Sequence, residues 1–482
     1  AFWVAELPGS LGGPVRTTGS FINDKLKLDS DIKITGRLRG QPALISAKAQ
    51  GEGEQWRVND IELGLGDNRI KGNGSLNKTL AGELNLNLPK LGQLWPGLQG
   101  QVQGNVAVSG TLKAPQGTLK LDGKALAFQD NRVQSLQANA RLDANQQAKI
   151  DLLLNKIMSG GNVIGDLAVA GSGDIKRQQA TIDLKGPQLN TQIAADGTLN
   201  QGAWRGRLAK LGIQAGGQDW QLRAPASVER LADGKITLGE HCLVSQGASL
   251  CGDKQRLIPD TQVRYKLRNF PMDSLKPWLP DDFEWQGELS ADINLDLPAG
   301  GPKGKISIDA GQGVWKVRDN QQWVDFNYQR LRLDTDIGAK QITTRLDLQG
   351  PKIGQLNVQA AFDPRPGSRP LSGTFRLAGV DLSAARPFVP MVDQLQGQLN
   401  GSGSISGTLL KPLVNGQVQL KDGHIAGGQL PTNIEALQLQ ALINGESMTL
   451  SGDWRSGETG SGKINGNLAW GGPLAGQVKL QG

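Results

Sequence analysis

The segment Gly457-Glu458-Thr459-Gly460-Ser461-Gly462-Lys463 fills the first seven positions of a phosphate-binding P-loop, in which backbone N–H groups cradle phosphates and the lysine reaches them. The next position must be serine or threonine to hold magnesium, and here it is Ile464. Asn465-Gly466-Asn467-Leu468 then reads as strand, where a P-loop needs the N-terminus of a helix. A glycine-rich hairpin turn is the expectation. Gly401-Ser402-Gly403-Ser404-Ile405-Ser406-Gly407 is also glycine-rich, but it lacks the spacing and the strand-to-helix context of a dinucleotide site.

Acid–base and metal chemistry have little material. His241 and His424 are the two histidines, and neither has a metal-type partner one helical turn away or a Cys-x-x-Cys nearby. No Gly-x-Ser-x-Gly elbow stands in a convincing context. Asp281-Asp282 follow Pro280 in what reads as an exposed turn, and adjacent residues of an extended chain face opposite ways. His424 follows Asp422-Gly423 and is expected to face water. The tryptophans are scattered and read as packing and edge anchors, not as a stacking platform. No catalytic residue, metal or cofactor is assigned. Cys242 and Cys251 flank a Gln246-Gly247 turn, which would set the sulfurs across a hairpin. The spacing is not that of a redox pair, so a structural disulfide in an oxidising compartment is expected, with His241 beside it.

The elements that hold these residues alternate with period two. Lys25-Leu26-Lys27-Leu28, Glu83-Leu84-Asn85-Leu86, Thr118-Leu119-Lys120-Leu121, Lys305-Ile306-Ser307-Ile308, Arg330-Leu331-Arg332-Leu333, Gln417-Val418-Gln419-Leu420 and Ala436-Leu437-Gln438-Leu439 are examples. Alternate side chains of a strand point to opposite faces, so each segment has one apolar and one polar face, the pattern of antiparallel sheet. Turns are expected at Gly66-Asp67-Asn68, Gly72-Asn73-Gly74, Asp196-Gly197, Asp233-Gly234 and Asp422-Gly423. Short helical stretches are expected around Leu88–Trp95, Met272–Trp278 and Leu382–Phe388.

Those stretches open an irregular internal repeat, beginning near residues 88, 270 and 379. Gln99-Gly100-Gln101-Val102-Gln103-Gly104 with Ser109-Gly110-Thr111-Leu112 matches Gln396-Gly397-Gln398-Leu399-Asn400-Gly401 with Ser406-Gly407-Thr408-Leu409. Gln286-Gly287-Glu288-Leu289 keeps the first glycine only, and Pro115, Pro298 and Pro412 follow the three copies. Such repetition over 482 residues predicts one elongated body, not separate globules. At ~12 residues per strand and turn, the chain would hold on the order of 40 strands.

Composition narrows the classes further. The net charge is +7, from 52 basic and 45 acidic residues, and the charges are dispersed without a Lys/Arg cluster, which argues against nucleic acid. No run approaches the ~18 apolar residues of a membrane-spanning helix. Neither end reads as a natural terminus: Ala1-Phe2-Trp3-Val4 lacks a signal-type core, and Gln477-Val478-Lys479-Leu480-Gln481-Gly482 stops within a strand pattern. An internal piece of a longer protein is expected. What remains is the apolar face, rich in Leu, Ile, Val and Ala. Each methylene kept from water is worth ~0.8 kcal/mol, so two acyl chains of ~15 carbons represent on the order of 20 kcal/mol of avoided exposure.

Three related segments carry a resemblance: Leu91-Gly-Gln-Leu-Trp95-Pro96 before Gly100, Leu275-Lys-Pro-Trp278-Leu-Pro280 before Gly287, and Arg386-Pro-Phe388-Val-Pro390 before Gly397. With the glycine-punctuated alternation, they resemble the central region of the TamB family, within the AsmA-like group of bridge-shaped lipid transfer proteins. The resemblance implies an all-β, elongated, curled, antiparallel-rich sheet (a β-taco) running as one segment through residues 1–482, with a continuous hydrophobic groove. It implies a periplasmic location, with the whole protein anchored in the inner membrane. It further implies phospholipid acyl chains as cargo, and a TamA-like outer-membrane barrel as partner through parts absent from this chain. No catalytic site accompanies the family.

The expected function is a conduit for phospholipid between two membranes. Leu26, Leu28, Leu84, Leu86, Leu119, Leu121, Ile306, Ile308, Leu331, Leu333, Val418, Leu420, Leu437 and Leu439 would line the groove. The alternative is a scaffold that aids outer-membrane protein assembly by pairing strand edges. An enzyme or sugar-binding β-helix is a third reading, against which the uneven strand spacing argues.

Overall fold

In the computed structural model, which describes residues 8–22, 25–319, 322–365, 367–389, 392–427, 433–470 and 475–481, the alternating segments are strands. The readings of Ala1–Val4, Pro390 and Gly482 fall outside the described residues. The described chain is nearly all β, with 36 strands and three short 3₁₀ helices. Those helices, Leu91–Gln93, Met272–Trp278 and Leu382–Phe388, lie where the sequence pattern places them.

The chain divides into two compact units, Ala1–Ala215 with Asp219–Asp233, and Gly216–Gln218 with Gly234–Gly482. In the first, strands pair antiparallel in chain order from Lys25–Leu38 to Ala203–Ala215. In the second, the same order runs from Arg330–Ile337 to Ala475–Gln481. Chain-order pairing follows from short returns between strands that each have only one apolar face to place.

Two of the five expected turns are turns. Gly66-Asp67-Asn68 connects two strands, and Asp233-Gly234 lies in a connection. Asn68 is buried there, and its side-chain amide donates to the carbonyls of Leu65 (3.0 Å) and Lys90 (2.9 Å), tying the Leu91–Gln93 helix to the hairpin.

The other three expectations are corrected, because Gly72-Asn73-Gly74, Asp196-Gly197 and Asp422-Gly423 lie within strands. At Asp422 (φ 52) the strand bulges and continues. At Gly197 a tryptophan takes the room a side chain would occupy, and a β-carbon there would collide with the Trp204 ring. Gly51 and Gly462 lie directly opposite Trp56 and Trp454 and meet those rings in the same way. Part of the glycine excess is thus floor for flat-lying indoles.

The repeat has a structural meaning. The glycine common to its three copies takes positive φ each time: Gly100 (104°), Gly287 (138°) and Gly397 (135°). The register shifts beside Gly100 and Gly397, so the residue marks a kink in a long strand. Ten residues on, Gly110 (φ 92) sits opposite Pro115 and Gly407 (φ 85) opposite Pro412. At both hairpin tips a threonine hydroxyl, of Thr111 or Thr408, accepts a backbone N–H at 3.1 Å.

Candidate functional site: the apolar cross-strand rows

Residues directly opposite each other in an antiparallel sheet share a face, so the register decides whether apolar faces line up. In the first unit one row runs Ile34, Ile45, Leu63, Ile70, Leu86, Gly104, Leu121, Ala138, Leu152, Val169, Ile182, Ile193 and Leu211. No polar side chain interrupts it across thirteen strands. In the second unit a row runs Leu243, Leu250, Leu267, Ala291, Ile308, Leu333, Leu346, Val358, Phe375, Gly403, Gly416, Ile443, Met448, Leu468 and Gly476, again without a polar member.

The opposite faces are polar. One strand position away from the second row lie Lys266, Asp292, Ser307, Asp334, Arg345, Gln359, Thr374, Ser404, Asn415, Asn444 and Ser447, each opposite the next. Each unit therefore has one greasy and one wet side.

The greasy side is not covered as a core would be. Among the described residues of the first unit, the buried apolar side chains are Ala43, Leu91 and Ala226, and none belongs to the thirteen-strand row. Leu63 in that row keeps 42% of its surface, and Ile150, two positions from Leu152, keeps 53%. A second protein layer would have reduced such values to a few per cent.

Leu84 and Leu119 join a parallel row through Val106. Leu26 and Leu28 alternate in step with Ile34 on the Lys25–Leu38 strand, with Leu26 exposed. In the second unit, Ile306 pairs with Ile293, Leu331 with Leu348, Val418 with Gly401 and Ala441, and Leu420 with Leu399 and Leu439. Leu437 lies opposite Gly423 after the bulge. Leu420 and Leu437 are buried, and the candidates other than these two and Leu26 are half-buried.

Ion pairs populate the wet side. Asp334 accepts from Arg332 Nε and from the Ser307 hydroxyl, each at 2.7 Å. The Arg332 bond first, and the Ser307 bond second, push its carboxyl down to about 2. An unfolded aspartate titrates near ~3.9, so the stabilisation is complete above pH ~4 and disappears as pH falls through about 2. Asp334→Asn should therefore lower the urea midpoint at pH 7 and match the parent near pH 2; a deficit of equal size at both pH values would contradict the assignment. A depression of about 1160 Å³ (Arg141, Asp174, Arg177, Asp196, Arg207) also lies among charges, and its lining suits water and ions, not hydrocarbon.

The catalytic-looking segments resolve into structure. Lys463 sits in a strand opposite Asp453, and Gly457 (φ 61) occupies the preceding turn. Gly401–Gly407 lies inside the Gln394–Thr408 strand. Asp281 and Asp282 are exposed, and His424 is half-buried in the Lys411–Ala426 strand, not fully solvated. Cys242 and Cys251 are directly opposite and form a disulfide. His241 precedes Cys242 on the same strand, with Nδ1 donating to the Gly239 carbonyl (2.9 Å) and Nε2 accepting from the Tyr265 hydroxyl (3.0 Å). Among the described residues, no group of three or more His, Cys, Asp or Glu side chains is arranged to hold a metal, and no helix is long and apolar enough to cross a membrane.

Two things escaped sequence reading: the small members of the rows, and an aromatic cluster at Trp285, Trp315 and Tyr328. The signal for the second was there, since Trp315, Trp323, Phe326 and Tyr328 fall within fourteen residues of a chain only 5% aromatic.

Comparison with known proteins agrees with the resemblance. A family model described as "TamB, N-terminal domain" matches residues 1–420, where the sequence likeness pointed to the family's central region. The translocation and assembly module subunit TamB of Haemophilus influenzae is 21% identical over 471 residues, covering 94% of this chain and 36% of that protein. The chain thus spans about a third of the length of this curated relative. No solved structure matches it.

Proposed function

This chain belongs to the TamB family, and from that premise we propose that it forms part of a periplasm-spanning hydrophobic conduit that transfers phospholipid between the inner and outer membranes. In this reading residues 1–482 act as one β segment, and the apolar row of each unit carries acyl chains. The whole protein is anchored in the inner membrane and meets a TamA-like outer-membrane barrel through parts outside this chain.

One observation carries the proposal: apolar rows continue in register over thirteen and fifteen strands, and apart from Leu243 and Ala291 their members stay half-buried or exposed. Surface of that extent is costly against water, and hydrocarbon offsets the cost. The Cys242–Cys251 disulfide is consistent with the periplasm.

Photocrosslinking residues at Leu119 and Lys120 test the reading, since neighbouring positions face opposite sides. Lipid adducts at 119 and not at 120 are expected. Equal labelling at both, or none at 119, would refute it.

A further inference from the structure

The Phe283–Leu297 strand serves two partners. Its second half, Ser290–Asp296, pairs with Lys303–Asp309 in chain-order sheet. Its first half, Phe283–Gly287, pairs with a separate hairpin made of Gly313–Asp319 and Gln322–Tyr328. Gly287 (φ 138) marks the changeover, and Gly311 (φ 53) marks the entry to the hairpin.

This hairpin contributes Trp315 and Tyr328 to a buried apolar cluster. Trp285 and Trp315 meet edge-on at 6.1 Å, and Trp315 and Tyr328 lie 5.1 Å apart. The Trp285 indole donates to the Tyr328 hydroxyl at 2.8 Å. The cluster packs on Leu331, Leu348 and Leu356, which are consecutive members of the row Leu331–Leu348–Leu356–Leu377–Gly401–Val418. Within the cluster Tyr328 is 2% exposed, and Leu348 is 7% exposed. Leu331 was expected to face cargo; here it is half-buried and packs against this cluster.

We propose that the Gly313–Tyr328 hairpin is a lid that competes with acyl chains for Leu331, Leu348 and Leu356. The inference rests on the lipid-conduit reading and adds a control point to it. Aromatic rings and hydrocarbon cover the same leucines equally well, so exchange of one for the other leaves the apolar row shielded in both states. Lifting the hairpin also exposes the Trp285 N–H and the Tyr328 hydroxyl to water, so no polar group is left buried without a partner.

The test uses the full chain with a phosphatidylethanolamine whose acyl tail bears a diazirine, and maps adducts by mass spectrometry. The lid predicts weak labelling of Leu348 and Leu356, strong labelling of Leu377 and Leu121, and a threefold or greater rise at Leu348 and Leu356 in Trp315→Ala, with Leu121 unchanged. Trp285→Phe, which keeps an aromatic ring but removes the donor and part of the ring surface, should move the same sites in the same direction should Trp315→Ala not fold. Labelling at Leu121 and Leu377 but never beneath the hairpin would make it a fixed cap and overturn the lid. Equal labelling beneath it in parent and variants would overturn the competition. No labelling anywhere would remove the conduit reading itself.

Discussion

Ile308→Arg is expected to cut lipid transfer between vesicles about 100-fold while the chain stays folded. Ile308 sits between Ala291 and Leu333 in the fifteen-strand row, half-buried by its neighbours. A guanidinium set against hydrocarbon costs roughly 3 kcal/mol, which is a factor of ~100. The fold loses far less, because an incompletely covered side chain can turn its charge toward water. Gln417→Arg is the matched control, on an exposed site opposite Ser402 and Leu442. It should leave transfer unchanged. A conduit predicts a large difference between the two variants, whereas a scaffold acting through strand edges predicts none. Circular dichroism and a denaturation midpoint near the parent's would establish that Ile308→Arg acts on transport.

Gly397→Val and Gly100→Val are each expected to destabilise the fold by about 3 kcal/mol. Two penalties combine. The backbone at Gly397 holds φ 135, a region closed to branched side chains, and an added β-carbon would lie 2.7 Å from Leu420 Cδ1. At Gly100 (φ 104) it would lie 2.6 Å from the Ala125 carbonyl oxygen. Gly160 (φ 56) has open space around it, so Gly160→Ala should cost only about 1 kcal/mol. Urea titration of the three variants reads the order directly. Equal costs at Gly160 and Gly397 would mean that the kink shared by the repeat copies is not required.

The same glycines show where sequence reading succeeds and where it stops. Gly110 and Gly407 recur with a threonine after them as part of the repeat, and both copies build the same hairpin tip there. Gly197 and Gly423 looked like turn residues for the same local reason, yet they lie in strands. The difference is not local. Trp204 needs the space beside Gly197, and Leu437 packs against Gly423 from the next strand. A tryptophan partner seven residues away, or a bulge opposite a neighbouring strand, leaves no signature in the dipeptide itself.

Alternation in Glu83–Leu88 or Lys305–Ile308 determined by itself that these segments are strands with one greasy face, because side-chain direction along a strand has a period of two. Other local signals, short helical stretches and a Gln246-Gly247 turn between two cysteines, also placed the three short helices and the Cys242–Cys251 bridge. Whether greasy faces of successive strands meet was decided only by tertiary structure, since a register slip of one residue would send Leu121 to the side of Lys120. Register depends on the bulges at Gly100, Asp422 and elsewhere, and on pairing energies between strands, neither of which a single strand encodes. The burial of Leu348 beside Tyr328, with Trp315 packed against them, likewise required a strand to change partners at Gly287, an arrangement between distant segments that period-two alternation does not record.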